Sequence, residues 1–445
     1  MHPVYDVIGI GFGPANIALA IAMEEKGLYP NSLFLEKAAN PVWQGEMLFE
    51  ISLDTYSNIQ NIPFRDLVTP RNPRSRYTFL NYLHENGLFF EHLNMDMLMP
   101  MRPDYARYIA WVVDLLRERL RTSCDVQHIE RWPQAEGPDL YRVSCADGSV
   151  YHARHLVLGT GRSPRLPELF SGLHSERVFH QSRYNTALAN LQRHAPKRIA
   201  VVGSSQSAVE IIMHLSKTLP DTQIHSIIRR YAYPLKDTSP FMSEIFFPTF
   251  TDAYYNADQA TKARIDADAF RTNYGACDMD ILEELYKQMY YDKLHGRQQI
   301  HLHRLTDIQS VNVDEQGVDL RLFDQMTQLP SDVRFDAVVL ATGFTNLGQD
   351  GQQSLPLLHD LEASLQRSAT GAMQIGRDYR VRLNAPTEQG AVVLNGLCES
   401  SHGMGDGGSL SLVSLRADSI LAGLQAHDQL AHSAPAPLQE VALDA

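Results

Sequence analysis

The sequence predicts an α/β protein with two Rossmann-like dinucleotide-binding domains, and three observations carry that prediction. Val7-Ile8 runs straight into Gly9-Ile10-Gly11-Phe12-Gly13-Pro14-Ala15-Asn16. Far downstream, Ile199-Ala200-Val201-Val202 runs into Gly203-Ser204-Ser205-Gln206-Ser207-Ala208. Two more apolar runs end in small-residue turns, Leu156-Val157-Leu158-Gly159-Thr160-Gly161 and Val338-Val339-Leu340-Ala341-Thr342-Gly343. A glycine turn between strand and helix lets the backbone approach a pyrophosphate, and the helix N-terminus aims N–H groups at it. Two such turns in one chain predict two dinucleotides with electron transfer between them.

The first turn has its full context. Tyr5-Asp6-Val7-Ile8 reads as a strand, Ile17 to Ala22 as the following helix, and Ser32-Leu33-Phe34-Leu35 as the next strand, ending at Glu36. An acid at that place suits an adenosine ribose. Pro14 replaces the usual third glycine and is tolerated in a first helical turn. The second turn carries Ser205 where a glycine is usual, followed by a helical stretch from Ala208 to Leu215. The next strand, Ile224 to Ile228, ends at Arg229-Arg230, where an arginine accommodates the 2′-phosphate of NADP rather than an NAD ribose.

The paired apolar runs suggest where the chain passes between domains. The expected organisation is a discontinuous FAD domain, 1–165 and 335–445, and an inserted NADPH domain, 166–334. Within the insert, 237–297 breaks the βα rhythm; Met279-Asp280-Ile281-Leu282-Glu283-Glu284-Leu285-Tyr286 is typical, and the stretch reads as a small helical substrate lobe. The tail from Ser433 reads as frayed.

Composition narrows the function. The 445 residues carry a formal charge of −13, which argues against nucleic acid and anionic membrane as partners. Cys124, Cys145, Cys277 and Cys398 are scattered without CxxC spacing, which predicts a cytoplasmic protein with no disulfide framework or zinc site. No HExxH occurs, and no metal is expected. The start enters a strand almost at once, so no signal peptide is expected, and no apolar run approaches the ~20 residues that span a bilayer.

Further motifs follow along the chain: Asp66-Leu67-Val68, Arg71-Asn72-Pro73, Tyr77-x-Phe79-x-Asn81-Tyr82-Leu83, Gln206-Ser207-Ala208, Ser239-Pro240-Phe241, Thr272-Asn273-Tyr274, Ile375-Gly376-Arg377-Asp378-Tyr379-Arg380 and Ser401-His402-Gly403. With the glycine turns, they resemble the N-hydroxylating flavoprotein monooxygenases acting on L-ornithine or L-lysine, and the ornithine branch fits better. The resemblance runs nearly end to end. It implies that NADPH reduces FAD, that oxygen adds to give a C4a-hydroperoxyflavin, and that an uncharged amine nitrogen takes the distal oxygen. It also implies a homo-oligomer. No Ser-His-Asp or paired-carboxylate catalyst is needed for this chemistry.

By the same resemblance, Gly9, Gly11, Gly13, Pro14, Asn16 and Glu36 hold FAD, and Gly203, Ser205, Gln206, Ser207 and Arg229 hold NADPH. Trp43, Gln44 and Gln60 lie beside the flavin. Asn273 touches the nicotinamide ribose and the substrate. Ser411 lies in a segment closing over the isoalloxazine ring. Arg65, Ser243 and Asn273 bind substrate, and Gln60, Arg65 and Asn273 form the catalytic set. Without the resemblance, Gln60 and Ser411 read equally as backbone partners, Asn273 as a turn residue and Trp43 as core.

The departures fall at the substrate end. The family's lysine before Asp-Leu-Val is Arg65, its asparagine after Ser-Pro-Phe-x is Ser243, and its histidine after the tryptophan is Gln44. The chain is also longer than the pattern between Trp43 and Arg65, and Gly407-Gly408 adds length near Ser411. Arginine keeps the positive charge but binds bidentately and reaches further. L-Ornithine is therefore the default substrate, with L-arginine, L-lysine, L-aspartate or a diamine open; Arg65 favours a carboxylate-bearing substrate. A sulfur or Baeyer–Villiger flavin monooxygenase is the alternative enzyme, and an NADP(H)-binding sensor without flavin chemistry the alternative class. The lack of a CxxC pair after either turn argues against a disulfide reductase.

Overall fold

A computed structural model describes residues 3–48, 64–95, 99–135, 137–347, 355–368, 371–384, 389–407 and 409–433. Among these, two mainly parallel sheets carry the two glycine turns. The larger has seven strands. Along its main path the order is Leu120–Arg121, Ser32–Leu35, Val4–Ile10, Val150–Leu158, Leu140–Cys145 and Val126–Trp132, and Val392–Leu394 also pairs with Val150–Leu158. The smaller runs Ile300–His303, Gln223–Ile227, Arg198–Val202, Ala337–Leu340 and Val178–His180, parallel throughout. The central strands are continuous apolar runs because both faces are covered. An antiparallel sheet, Thr306–Val313, Val318–Asp324 and Leu329–Phe335, packs on one face of the smaller sheet through Val318, Leu320, Leu322 and Phe335.

The first turn helix, Pro14–Lys26, begins with proline and ends at Gly27. Gly27 is left-handed at φ 63°, so its N–H and that of Leu28 turn back onto the carbonyls of Glu24 and Met23. Every residue from Asn16 to Met23 is buried. The long helix Val413–Ser433 packs against it and closes the first core. Fully buried His155 fastens that closure. Its Nδ1 accepts the Ala391 N–H at 3.0 Å, and its Nε2 lies 3.0 Å from Asp428, which also accepts the Tyr29 hydroxyl at 2.8 Å.

The two connections between the sheets pair with each other. Ser163–Pro164 and Phe344–Thr345 form a short antiparallel ribbon. Ala337–Leu340 lies beyond the expected boundary at 334, yet it pairs inside the smaller sheet with Arg198–Val202 and Val178–His180. We therefore propose that the insert ends at this ribbon rather than before the strand. The region 237–297 holds three helices, Pro248–Asn256, Gln259–Asn273 and Met279–Leu294. The last belongs to the smaller sheet's core through Ile281 and Leu285, and the first two stand with the loop before them beside Met404.

Candidate active site

At the first turn, Gly11 has φ 82°, and a Cβ there would meet the Gly159 carbonyl oxygen at 2.6 Å. Only glycine fits that approach. Gly9 serves packing, since a Cβ on it would enter the Phe34 ring at 2.2 Å. Gly13 precedes the helix, makes no side-chain cap, and has open space where its Cβ would stand. No acid occupies the first helical turn, so its free N–H groups suit an anionic pyrophosphate. Glu36 stands beside the turn; its carboxylate accepts the Phe12 and Ala38 N–H groups at 2.9 Å each. Asn16 is fully buried, donates to the carbonyls of Ile10 at 3.2 Å and Gly11 at 2.7 Å, and accepts from Asn395 at 3.0 Å. It holds the turn's shape from inside. These residues fit FAD.

The second turn repeats the arrangement. The helix is Gln206–Thr218, capped by Ser205 without a side-chain hydrogen bond and without an acid in its first turn. Gly203 has φ 142°, and a Cβ there would meet the Ala341 carbonyl oxygen at 2.3 Å. Ser207 accepts from Gln181 at 3.4 Å. Gln206 is engaged on both sides: it accepts the Asp278 N–H at 3.0 Å and donates to Glu210 at 3.1 Å. Exposed Arg229 and Arg230 follow the strand Gln223–Ile227. This set fits NADPH with its 2′-phosphate.

A cavity of about 1230 Å³ joins this turn to the helical lobe. Its walls include Gln44, Gly203, Ser205, Gln206, Ser207, Arg229, Ser243, Asn273 and Ser411. Arg65 does not line the cavity itself but touches two residues that do: Nη1 lies 3.5 Å from Ser411 Oγ, and its guanidinium carbon is 5.9 Å from the Phe246 ring centre. Burial lowers the Arg65 pKa from its ordinary value. Ser411 also accepts a bond from the Ser409 hydroxyl at 2.9 Å. Trp43 is half-buried, edge-on to Tyr105 at 5.3 Å, and Gln44 adopts a left-handed φ of 56° at the cavity wall. Gln60 lies outside the described residues.

Several family motifs turn out to be structural. Buried Asp66 gathers the N–H groups of Val68, Thr69 and Phe79 and the Thr69 hydroxyl. Arg71 pairs with Glu25 and Arg76 with Glu24, tying this segment to the first turn helix. His402 is fully buried, stacked on Tyr379 at 4.2 Å and bonded to Ser401 at 2.8 Å; burial pulls its pKa down to about 4.

Sequence reasoning missed a polar group at the lobe end of the cavity. Tyr274, next to Asn273, donates to the buried Glu399 carboxylate and accepts from Arg162 at 2.8 Å. Burial raises the Glu399 pKa against the lowering effects of that hydrogen bond and of Arg162. The three residues come from separate parts of the chain, so no local spacing announces them. Near the second turn, Arg102 and Glu210 form a buried ion pair that also lines the cavity.

This arrangement is that of a known group of enzymes. The family model for L-lysine 6-monooxygenase/L-ornithine 5-monooxygenase matches residues 3–346. The L-ornithine N(5)-monooxygenase of Pseudomonas aeruginosa is 34% identical over 434 residues, covering 95% of this chain and 94% of that one. The chain belongs to this family. It is an FAD- and NADPH-dependent N-hydroxylating monooxygenase. Among solved structures, the ornithine hydroxylase of Pseudomonas aeruginosa superposes with a TM-score of 0.86 at 34% identity, covering 96% of this chain and all of that one. The Kutzneria ornithine N-hydroxylase, with reduced FAD, NADP⁺ and L-ornithine, has a TM-score of 0.85 at 28% identity, with 96% and 100% covered. The L-lysine 6-monooxygenase of Pseudomonas syringae has a TM-score of 0.82 at 32% identity, with 95% and 99% covered. Among the described residues no helix is long and apolar enough to cross a membrane, and no group of three or more candidate ligands could hold a metal.

Proposed function

We propose that this enzyme hydroxylates the side-chain amine of L-ornithine, using molecular oxygen, for siderophore-type biosynthesis. The observation that carries the reading is the shared cavity: Ser243, Asn273 and Ser411 line the same space as the NADPH turn, with Arg65 against Ser411. A carboxylate held at Arg65 and Asn273 fixes one end of an amino acid and lets its amine extend into the cavity. Ser243, shorter than asparagine, leaves room around that end.

Bound FAD, reduced by NADPH, supplies the oxygen-transfer chemistry. The protein's part is to bind, orient and exclude water. Gly11, Gly13 and the first helix N-terminus take the FAD pyrophosphate, and Glu36 takes the ribose. Trp43 and Gln44 would flank the ring system and Ser411 would close over it; the resemblance gives Gln60 a role beside the flavin. Gly203, Ser205 and Ser207 take the NADPH pyrophosphate, with Gln206 bracing the turn through Asp278 and Glu210, and Arg229 takes the 2′-phosphate. A free alkylamine has a pKa near ~10.4, and desolvation in the cavity favours its reactive neutral form. The free, buried cysteines suit a reducing cytoplasm, and the resemblance supports a homo-oligomer. The test is hydroxylamine formation and NADPH oxidation across ornithine, lysine, arginine, aspartate and diamines. Ornithine should give the highest ratio of hydroxylamine to NADPH; a higher ratio with another amine would reassign the substrate.

A further inference from the structure

The amine that reacts must be neutral, yet it enters as an ammonium, so the cavity must take a proton from it. Most carboxylates lining the cavity are already engaged. Glu210 is held by Arg102, Asp278 lies 3.6 Å from Lys236, and Asp307 accepts from Gln325 at 2.6 Å. Asp237 caps the Ser239 N–H at 3.1 Å. On the substrate lobe, Asp266 spends both oxygens on the Tyr254 hydroxyl, at 2.9 Å each. Glu399 differs. One oxygen accepts from Tyr274, and the side chain lines the cavity. Its backbone is pinned, since a Cβ on Gly407 would meet Glu399 Cβ at 2.6 Å.

We infer that Glu399 is the proton acceptor for the substrate ammonium. This rests on the N-hydroxylation reading above. In the step an N–H bond of the ammonium breaks and an O–H bond forms on the Glu399 carboxylate. A cation and an anion become a neutral amine and a neutral acid, and no electrons change hands. The nitrogen lone pair is then free for oxygen transfer, and the proton returns to solvent as product leaves.

The charged and titratable groups around Glu399 are consistent with this role. Arg162, from the connection between the sheets, favours its ionised form, as does the Tyr274 hydroxyl; Asp266 on the helix Gln259–Asn273 opposes it, and burial opposes it most. Tyr254 on the neighbouring helix feels the Glu399 charge, and His402 on Glu399's own helix is held neutral at physiological pH by burial. The balance makes Glu399 a stronger base than a solvated glutamate, closer to the task of accepting an ammonium proton.

The test compares pH profiles of hydroxylamine formation in the wild type and Glu399→Gln, with anaerobic flavin reduction by NADPH as the control. The proposal expects a fall of tenfold or more at pH 7, an acid limb moved toward higher pH by a unit or more, and flavin reduction within twofold of wild type. Glu399→Asp, which retains a carboxylate, should keep the wild-type limb at reduced rate, and it serves if the glutamine variant does not fold. An unmoved limb in Glu399→Gln overturns the proposal, even if KM rises, because the residue would then only anchor a cation. A moved limb in Glu399→Asp overturns it too. If the wild type hydroxylates no amine, the failure belongs to the reading above instead.

Discussion

Arg102 and Glu210 form a buried two-point ion pair between the two halves of the molecule. Arg102 begins the helix Arg102–Leu115 of the first core, and Glu210 lies in the second turn helix. Arg102 Nη2 reaches both Glu210 oxygens, at 2.8 and 2.9 Å, while Nη1 donates to the Met47 carbonyl at 2.8 Å. Gln206 bonds to the same carboxylate, so the pair also steadies the start of the second turn helix. Removing one partner strands a buried charge. Glu210→Ala should cost about 3–5 kcal/mol in denaturant unfolding, and Arg102→Met with Glu210→Met should recover much of that loss. A double variant that loses as much as the two single variants added together would show that the pair does not couple.

Gly11 should be irreplaceable for FAD. A side chain there meets the Gly159 carbonyl and must hold φ 82°. Gly11→Val should purify largely without flavin, read from the absorbance ratio at 450 and 280 nm. A full complement of FAD would remove this turn from the cofactor site.

Arg229 should discriminate between nicotinamides. Losing a charged hydrogen bond to the 2′-phosphate weakens binding by roughly 1.5–3 kcal/mol. Arg229→Ala should raise the NADPH Kd accordingly and leave NADH nearly unchanged. Matching losses for both cofactors would contradict the role.

Arg65→Lys separates substrate from cofactor. If the guanidinium holds the substrate carboxylate, KM for the amino acid rises and flavin reduction at saturating NADPH is unaltered. Slow reduction with unchanged amino-acid binding would instead assign Arg65 to NADP⁺.

Stability should drain in mild acid. Burial pulls His214, His225 and His402 down to about 4, against an ordinary value near 6.5. The unfolded chain therefore takes up protons first as pH falls. The contribution of each imidazole is complete above about 6.5 and is lost between about 6.5 and 4, on the order of 2–3 kcal/mol apiece. Tm should drop clearly between pH 7.5 and 5; a flat Tm over that span would mean these imidazoles keep access to water.

Both glycine turns were legible because their chemistry is local: strand, glycine and helix follow one another, and the backbone does the work. Glu36, Arg229 and Ser205 fell at strand and helix ends for the same reason. What was not legible depends on long-range packing. Arg162, Tyr274 and Glu399 meet across the fold, and nothing near any of them marks a partner. The boundary expected at 334 put the strand Ala337–Leu340 with the first domain, and its pairing lies in the smaller sheet, because an apolar run looks alike in either. Asp66 and His402 belong to motifs that carry the family resemblance, and their buried bonds hold the scaffold.

Oxygen transfer to a side-chain amine can be followed atom by atom with isotopic labelling. The enzyme would be incubated with NADPH, FAD, L-ornithine and ¹⁸O₂, and the amino acid recovered for mass spectrometry. One ¹⁸O atom is expected in the product, located on the side-chain nitrogen by fragmentation, in proportion to the NADPH consumed. NADPH consumed with peroxide as the sole oxygen product and ornithine returned unlabelled would contradict it.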